Sequence, residues 1–262
     1  MSTMFASPAP AATSRTRDVV RGLLVRTHLD GAARRCRSNF RRAARGAMRH
    51  DPGLVARYLA QSNPPRLHIG CGPHTLPGWL NADCEPVSRD VLHLDATRPF
   101  ALPSNTFASV YSEHMIEHVP QAGGLVMLAE AFRVLRPGGR IRITTPDLAF
   151  LLALCGPERS GLQRDYVAWS AATFLRGAST TDAVAVFNNF VRDWGHRFIY
   201  DEPTLRDAMA RAGFTGIARR PLHDSEDPAL CHLENTDRMP PGFLQLESFT
   251  LEGIKPVDAQ PR

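Results

Sequence analysis

The sequence predicts an α/β fold: a mostly parallel sheet with helices on both faces. Three observations predict it. Short apolar runs of strand length alternate with segments of helical periodicity. The first run, "RLHIGCG" (66–72), ends in a glycine turn. The runs that follow end in acids or polar groups, the positions at which ligands lie across a parallel sheet. With 262 residues, 43% apolar and 22% charged, the chain can bury one large core with extensions around it.

Taken in order, "SPAPAATS" (7–14) is a low-complexity leader. Two basic amphipathic patterns follow up to Met48. Val20, Leu23 and Leu24 form one stripe; Cys36, Phe40, Ala44, Ala47 and Met48 form another, and "LDG" (29–31) separates them. Residues 1–50 are therefore read as a disordered or helical basic extension, and 51–262 as the main domain. Within it "RLHIGCG", "WLNADCEP" (79–86), "DVLHLDA" (90–96) and "FASVYSEH" (107–114) read as four strands. In "GGLVMLAEAFRVLRPGG" (123–139), Leu125, Leu128, Ala129, Phe132 and Leu135 recur at helical spacing until Pro137-Gly138-Gly139. "RIRITTP" (140–146) is a fifth strand. Residues 147–195 break the rhythm and are long for a connection, so they are read as a largely helical lid or substrate-facing insertion. In 196–214, Asp201 or Glu202 caps a helix with Pro203 in its first turn and Gly213 at its end. "TGIARRPL" (215–222) and "LESFTLEGIKP" (246–256) supply the last two strands.

Charge divides along the same boundary. Residues 1–50 hold eleven Arg against Asp18 and Asp30, or +9; the net charge of +5 then leaves −4 for 51–262. The basic balance belongs to the extension, so no nucleic-acid-binding face is expected on the main domain. An Arg-rich amphipathic stretch (15–49) suits an anionic membrane surface or a partner protein. Five scattered cysteines with no C-x-x-C pair exclude a disulfide framework and a cysteine-based zinc site, and fit a reducing cytoplasm. No apolar run approaches the length of a membrane span.

Function is carried at the strand ends. Glycine after a buried strand lets backbone approach a ligand. Asp83 ends the second strand, where an acid can accept the hydroxyls of a ribose. Asp95 ends the third, within reach of an adenine, and Ser112 and Glu113 end the fourth. Any one acid alone would be a cap or a loop residue; a nucleoside explains all four ends together. A dinucleotide fingerprint is not met. Thr75 stands where its third glycine would be, Asp83 follows Gly70 by only 13 positions, and Pro73, Pro77 and Gly78 interrupt the helix that pyrophosphate needs. A nucleoside without phosphates fits better.

"LHIGCG…GWLNADCEP…HLDATRPFALPSNTFASVYSEHMIEHV…AFRVLRPGGRIRITTPDL" resembles the class I S-adenosylmethionine-dependent methyltransferases over residues 65–256. It is most similar to a bacterial branch of uncharacterised members with a shortened first helix. The resemblance implies a Rossmann-like three-layer sandwich with a seven-stranded sheet whose last strand is antiparallel. It implies S-adenosyl-L-methionine as cofactor. Gly70, Cys71 and Gly72 would line its methionine part, and Asp83 or Glu85 would hold the ribose. Asp95 and Ala96 would face the adenine, with Ser112, Glu113 and His114 beside the sulfonium. His114 is then the candidate base for a small-molecule or glycan-like acceptor, and Asp193, Trp194 and His196 are candidate acceptor contacts.

One stretch points elsewhere. "HMIEH" (114–118) has the H-x-x-E-H spacing of an inverted zinc-peptidase motif, which on a helix puts two imidazoles on one face. Pro120, Gly123 and Gly124 cut such a helix short, and the pattern is read as spacing, with no metal ligand assigned. A zinc hydrolase, a nicotinamide enzyme and a non-catalytic cofactor-binding scaffold are the alternatives.

Overall fold

The computed structural model describes residues 52–258 apart from 176 and 178, so the basic extension (1–50) lies outside the described residues. Seven strands form one sheet: β1 (Arg66–Ile69), β2 (Leu80–Asp83), β3 (Leu92–His93), β4 (Phe107–Glu113), β5 (Leu135–Pro146), β6 (Thr215–Arg220) and β7 (Ser248–Ile254). Their order is β3-β2-β1-β4-β5-β7-β6. β1 to β5 are mutually parallel, and β7 runs antiparallel to both β5 and β6. The expected seven-stranded sheet with an antiparallel last strand is therefore observed. The helices are α1 (Pro52–Gln61), α2 (Gln121–Val134), α3 (Leu148–Leu154), α4 (Gly161–Phe174), α5 (Ala183–Arg192), α6 (Glu202–Ala212) and α7 (Phe243–Glu247).

Strand alternation divides the sheet into two unlike faces. Leu67, Ile69, Leu80, Ala82, Val110, Ile141 and Ile143 point to one face and make the main core with Met127, Leu128 and Ala131 of α2 and Leu205 and Met209 of α6. The residues between them, His68, Asn81, Tyr111, Arg142 and Glu252, point the other way and are buried too. Buried polar groups must find partners, and these find them in turns that cover part of this face. Asn81 Oδ1 accepts the Leu76 N–H at 2.8 Å, and its amide donates to Leu76 O at 3.0 Å and Trp79 O at 3.2 Å. Asn81 thereby pins the segment between β1 and β2, which forms turns and no helix. Arg142 donates to Glu234 at 2.7 Å and Glu252 at 2.6 Å, and to the carbonyls of Asp224 and Pro221 at 2.8 and 3.1 Å.

The insertion has its own core. Phe150, Leu151 and Leu154 of α3 pack with Tyr166 and Val167 of α4, Val186 and Phe190 of α5, and Phe243 of α7. α6 obeys its sequence signals: Asp201 Oδ1 accepts the Thr204 N–H at 2.9 Å, Pro203 lies in the first turn, and Gly213 closes the helix in the left-handed region.

Several boundaries differ from the sequence reading; β3, read over 90–96, is only Leu92–His93. The helix read to Gly139 ends at Val134, and β5 begins at Leu135. The carbonyls at the end of α2 are already taken there. Asn105 and Thr106 donate backbone N–H groups to Arg133 O and Val134 O, and Lys255 Nζ donates to Phe132 O and Leu135 O, each at 2.8 Å. Likewise Leu246 and Glu247, read as strand, complete α7.

Candidate functional site

The candidate site is built at the carboxyl ends of β1, β2, β4 and β5. β1 leaves the sheet through Gly70 and Gly72, with φ of +73° and +50°. The two glycines serve different needs. A Cβ on Gly70 would lie 2.1 Å from Met115 Cγ and 2.6 Å from Met115 Cβ, so the turn after β4 leans directly on this residue. A Cβ on Gly72 would meet no atom within 4 Å. Backbone approach by a ligand is thus left open at Gly72. Cys71 between them is buried, and burial together with the Asp83 charge pushes its thiol up to about 12, which makes it packing and not a nucleophile.

Asp83 ties this turn to β2. Its Oδ2 accepts the Gly72 N–H at 2.8 Å and its Oδ1 the Glu85 N–H at 2.7 Å. Each carboxylate oxygen has a second lone pair, so the group can hold the turn and still accept a hydroxyl. Glu85 lies half-buried one turn on. Asp95 Oδ1 accepts from the backbone N–H (3.0 Å) and hydroxyl (2.6 Å) of Thr97, and its Oδ2 lies 3.3 Å from Arg98 Nε. That side chain shapes the turn after β3, with Ala96 buried beside it.

At the end of β4, alternation sends Ser112 and Glu113 to opposite faces. Ser112 is buried, and its hydroxyl has no hydrogen-bond partner. Glu113 belongs to the polar face: it accepts from Tyr111 Oη at 3.2 Å and from the Asn235 N–H at 3.1 Å, and lies 3.3 Å from Arg238. The turn 235–238 is thereby drawn over the strand end.

The structure departs most from the H-x-x-E-H reading at His114. This residue has φ of +46°, and only Ile116–His118 form a turn of 3-10 helix. His114 and His118 therefore do not share a helical face, and the peptidase geometry is not formed. His114 Nε2 lies 2.8 Å from Ser248 Oγ, and its Nδ1 lies 3.4 Å from Glu117 Oε1. Burial, then the charge of Arg238, holds this imidazole well below its usual range, so it is neutral. Glu117 is fully buried. Its Oε2 accepts from Thr145 Oγ1 at 3.1 Å, and its Oε1 has no hydrogen-bond partner. Burial pushes its carboxyl up to about 8.

The end of the insertion is registered against this turn. Arg197 and Phe198 both donate their N–H groups to Glu117 O, at 2.7 and 3.1 Å. This seats the His196 ring 4.9 Å from that of His118. Burial lowers both imidazoles, His196 to about 4. Trp194 lies edge-on to Phe174 and packs against Phe190 in the insertion core, and Asp193 is the exposed C-cap of α5. Of the three residues singled out in this segment, only His196 reaches the strand ends. Sequence reasoning missed Ser248, Thr145, Met115 and Arg238. Met115 adjoins a marked residue, but nothing local signals the other three, which arrive from β5, β7 and the loop between β6 and β7.

A family model described as a methyltransferase domain matches residues 40–219, more than half of the chain. No curated protein matches it. Solved structures similar to it include a possible histamine N-methyltransferase from Thermotoga maritima (19% identity, 73% of this chain and 82% of that one, TM-score 0.41). A SAM-dependent methyltransferase from Archaeoglobus fulgidus is 15% identical over 77% of this chain and 91% of that one, with a TM-score of 0.44. Phosphoethanolamine N-methyltransferase 2 of Haemonchus contortus, in complex with S-adenosyl-L-methionine, is 14% identical over 78% of this chain and 51% of that one, with a TM-score of 0.41. Likeness at that level decides neither acceptor nor site, and it is the family model that classifies the protein. The chain belongs to the methyltransferase-domain family.

Proposed function

We propose that this chain transfers a methyl group from S-adenosyl-L-methionine to a small-molecule or glycan-like acceptor. The observation that carries the reading is the Gly70–Gly72 turn, open at Gly72 and fastened to Asp83 at the adjoining strand end. A ligand backbone-close at one strand end and hydroxyl-bonded at the next matches the methionine and ribose parts of the cofactor. The missing helix between β1 and β2 supports a cofactor without phosphates, and is in keeping with the bacterial branch the sequence resembles.

The cofactor, when bound, supplies a methyl group already activated on sulfur. The residues of this chain need only hold and orient the partners and manage one proton. Gly70, Cys71 and Gly72 would bound the methionine end, and Asp83 or Glu85 would take the ribose. Asp95 and Ala96 would bound the adenine, with Ser112 and Glu113 beside the sulfonium. His114, whose ring is held through Ser248, is the proposed group to accept the proton of an acceptor hydroxyl or amine. The glycan-like acceptor rests on the resemblance, and Asp193, Trp194 and His196 remain its proposed contacts. Among the described residues Cys71, Cys84, Cys155 and Cys231 form no disulfide, which suits the proposed cytoplasmic location. Among the described residues no helix is long and apolar enough to cross a membrane; the Arg-rich stretch 15–49 is the proposed contact for a membrane surface or a partner protein.

Titration calorimetry of the full chain with S-adenosyl-L-methionine and with S-adenosylhomocysteine tests the reading. Binding weakened by roughly 10- to 100-fold in Asp83→Ala, the loss of a charge-assisted hydrogen bond, is expected. Absence of binding to either compound would refute it.

A further inference from the structure

We propose that Glu117, His118 and His196 form a binding site for a first-row divalent cation of the zinc type. One ligand atom from each residue lies within 4.8 Å of the other two. They come together because the backbone of 197–198 is bonded to Glu117 O, so the cluster is built by the fold and not by a floppy surface. Glu117 Oε1 is the focus. It is a fully buried carboxylate oxygen without a hydrogen-bond partner, 3.9 Å from His118 Nε2 and 3.4 Å from His114 Nδ1. His196 Nδ1 is likewise buried and unpartnered. Orphaned buried polar atoms that face one another call for a group between them.

Each candidate ligand is also held from behind. Thr145 donates to the other oxygen of Glu117. The His118 ring lies against Gly195, where a Cβ would sit 3.7 Å from its Nδ1, and the His196 ring packs on that of Phe190 with centroids 4.8 Å apart. Metal-binding imidazoles and carboxylates are oriented by such outer partners, which fix the ring and the free lone pair. The donor set, two imidazoles and one carboxylate, is that of catalytic zinc and of other open first-row sites. Metal–ligand bonds of about 2.0–2.1 Å need donor atoms roughly 3.3–3.5 Å apart, so separations of up to 4.8 Å must tighten by up to about 1.5 Å. The His118 side chain, 40% exposed, has the freedom to do so and gives the ion its path in from solvent. Three protein ligands leave at least one coordination position for a solvent or acceptor oxygen. The ligand pair is His118 with His196, not the His114 and His118 of the sequence motif.

The test is zinc titration of chelator-washed full chain, with Co2+ absorption as a second readout. One zinc per chain is expected, together with visible Co2+ bands of an imidazole-ligated ion. Thr145→Val should weaken binding by roughly 10- to 100-fold, the usual cost of an outer partner. His118→Ala and His196→Ala should weaken it further, while His93→Ala, exposed at the far strand end, should leave it unchanged. Substoichiometric zinc, or equal affinity in His118→Ala and His196→Ala, overturns the proposal. If either variant fails to fold, the Co2+ spectrum of the parent decides, and its absence overturns the proposal as well. The site does not depend on the methyl-transfer reading. Zinc without adenosyl binding refutes only that reading, and adenosyl binding without zinc refutes only this one.

Discussion

Placing a methyl group at Gly70 and at Gly72 in turn separates two costs that a glycine turn usually confounds. Both residues sit at positive φ, which costs an alanine about 1–2 kcal/mol; the stiffer unfolded chain returns about 0.4–1 kcal/mol of it. Gly72→Ala has no further cost, because its Cβ meets nothing within 4 Å. It should destabilise by about 1 kcal/mol or less. Gly70→Ala adds a clash, with its Cβ only 2.1 Å from Met115 Cγ and 2.6 Å from Met115 Cβ. Overlap with a Cβ cannot be relieved by a rotamer change, so an overpacking cost of about 1–3 kcal/mol is added. The total for Gly70→Ala is then about 1–4 kcal/mol. Met115→Gly removes both offending atoms, whereas Met115→Ala removes only the nearer one. In a double-mutant cycle, Gly70→Ala with Met115→Gly should show a favourable coupling of about 1–3 kcal/mol, and Gly72→Ala with Met115→Gly should show none. Urea denaturation with unchanged m values measures all of these. Equal destabilisation at the two glycines, or zero coupling to Met115, would refute the account of why Gly70 is glycine. Adenosyl binding should report the inverse pattern, with Gly72→Ala weakening it out of proportion to its small effect on stability.

Burial raises the Glu247 carboxyl to about 7, where it takes a hydrogen bond from Tyr166 Oη at 2.5 Å. A carboxyl raised on folding binds more protons folded than unfolded, so stability falls as pH rises from about 4.5 through 7, with a limit of about 3 kcal/mol. Glu247→Gln keeps the neutral shape, and its stability relative to the parent should rise between pH 5 and pH 8; a difference that is flat with pH in urea melts would refute this. Lys255→Met keeps the stem but leaves the carbonyls of Phe132 and Leu135 without their buried donor. A loss of about 2–3 kcal/mol is expected in thermal or urea melts, and a loss under 0.5 kcal/mol would show that water replaces the ammonium.

How far the sequence could be read followed the range of the forces involved. α6 was legible in full because Asp201, Pro203 and Gly213 act within one turn of the residues they position. The parallel strands were legible because buried runs such as Phe107–Tyr111 need no partner to declare themselves. β3 is only two residues of ladder, and its neighbours satisfy their backbone in turns, so its sequence overstates it. The polar face was not legible. Asn81, Arg142 and Glu113 are ordinary polar residues in sequence, and their meaning comes from Leu76, Glu234 and Arg238, up to 125 positions away in the case of Arg238. Lys255 is the one lysine of the chain, and nothing adjacent in sequence marks it. An ammonium, with three donors on a compact head, suits a cluster of helix-end carbonyls better than a planar guanidinium does. The candidate site shows the same split. Its glycines and Asp83 were visible as local pattern, and the surroundings of Glu117 were not, because spacing alone cannot tell a helix from a left-handed step at His114.

That step also bears on what the insertion can do. A lid needs one end free to swing. Here the entry is fixed by Asp147 N–H on Glu247 O and Leu148 N–H on Tyr200 O, and the exit by Arg197 and Phe198 on Glu117 O. Between them Tyr166 anchors α4 to Glu247 at the foot of β7. Moving the insertion as one body would break these bonds together and strand a buried carboxyl, whereas moving 194–196 alone disturbs side-chain packing and the ring contacts to His118 and leaves the Asp193 N–H on Asn189 O. The physics therefore favours a fixed wall whose short final segment does the adjusting. His196 lies on that segment. It also belongs to the Glu117 cluster, so an adjustment of this segment would move one of the three groups gathered there.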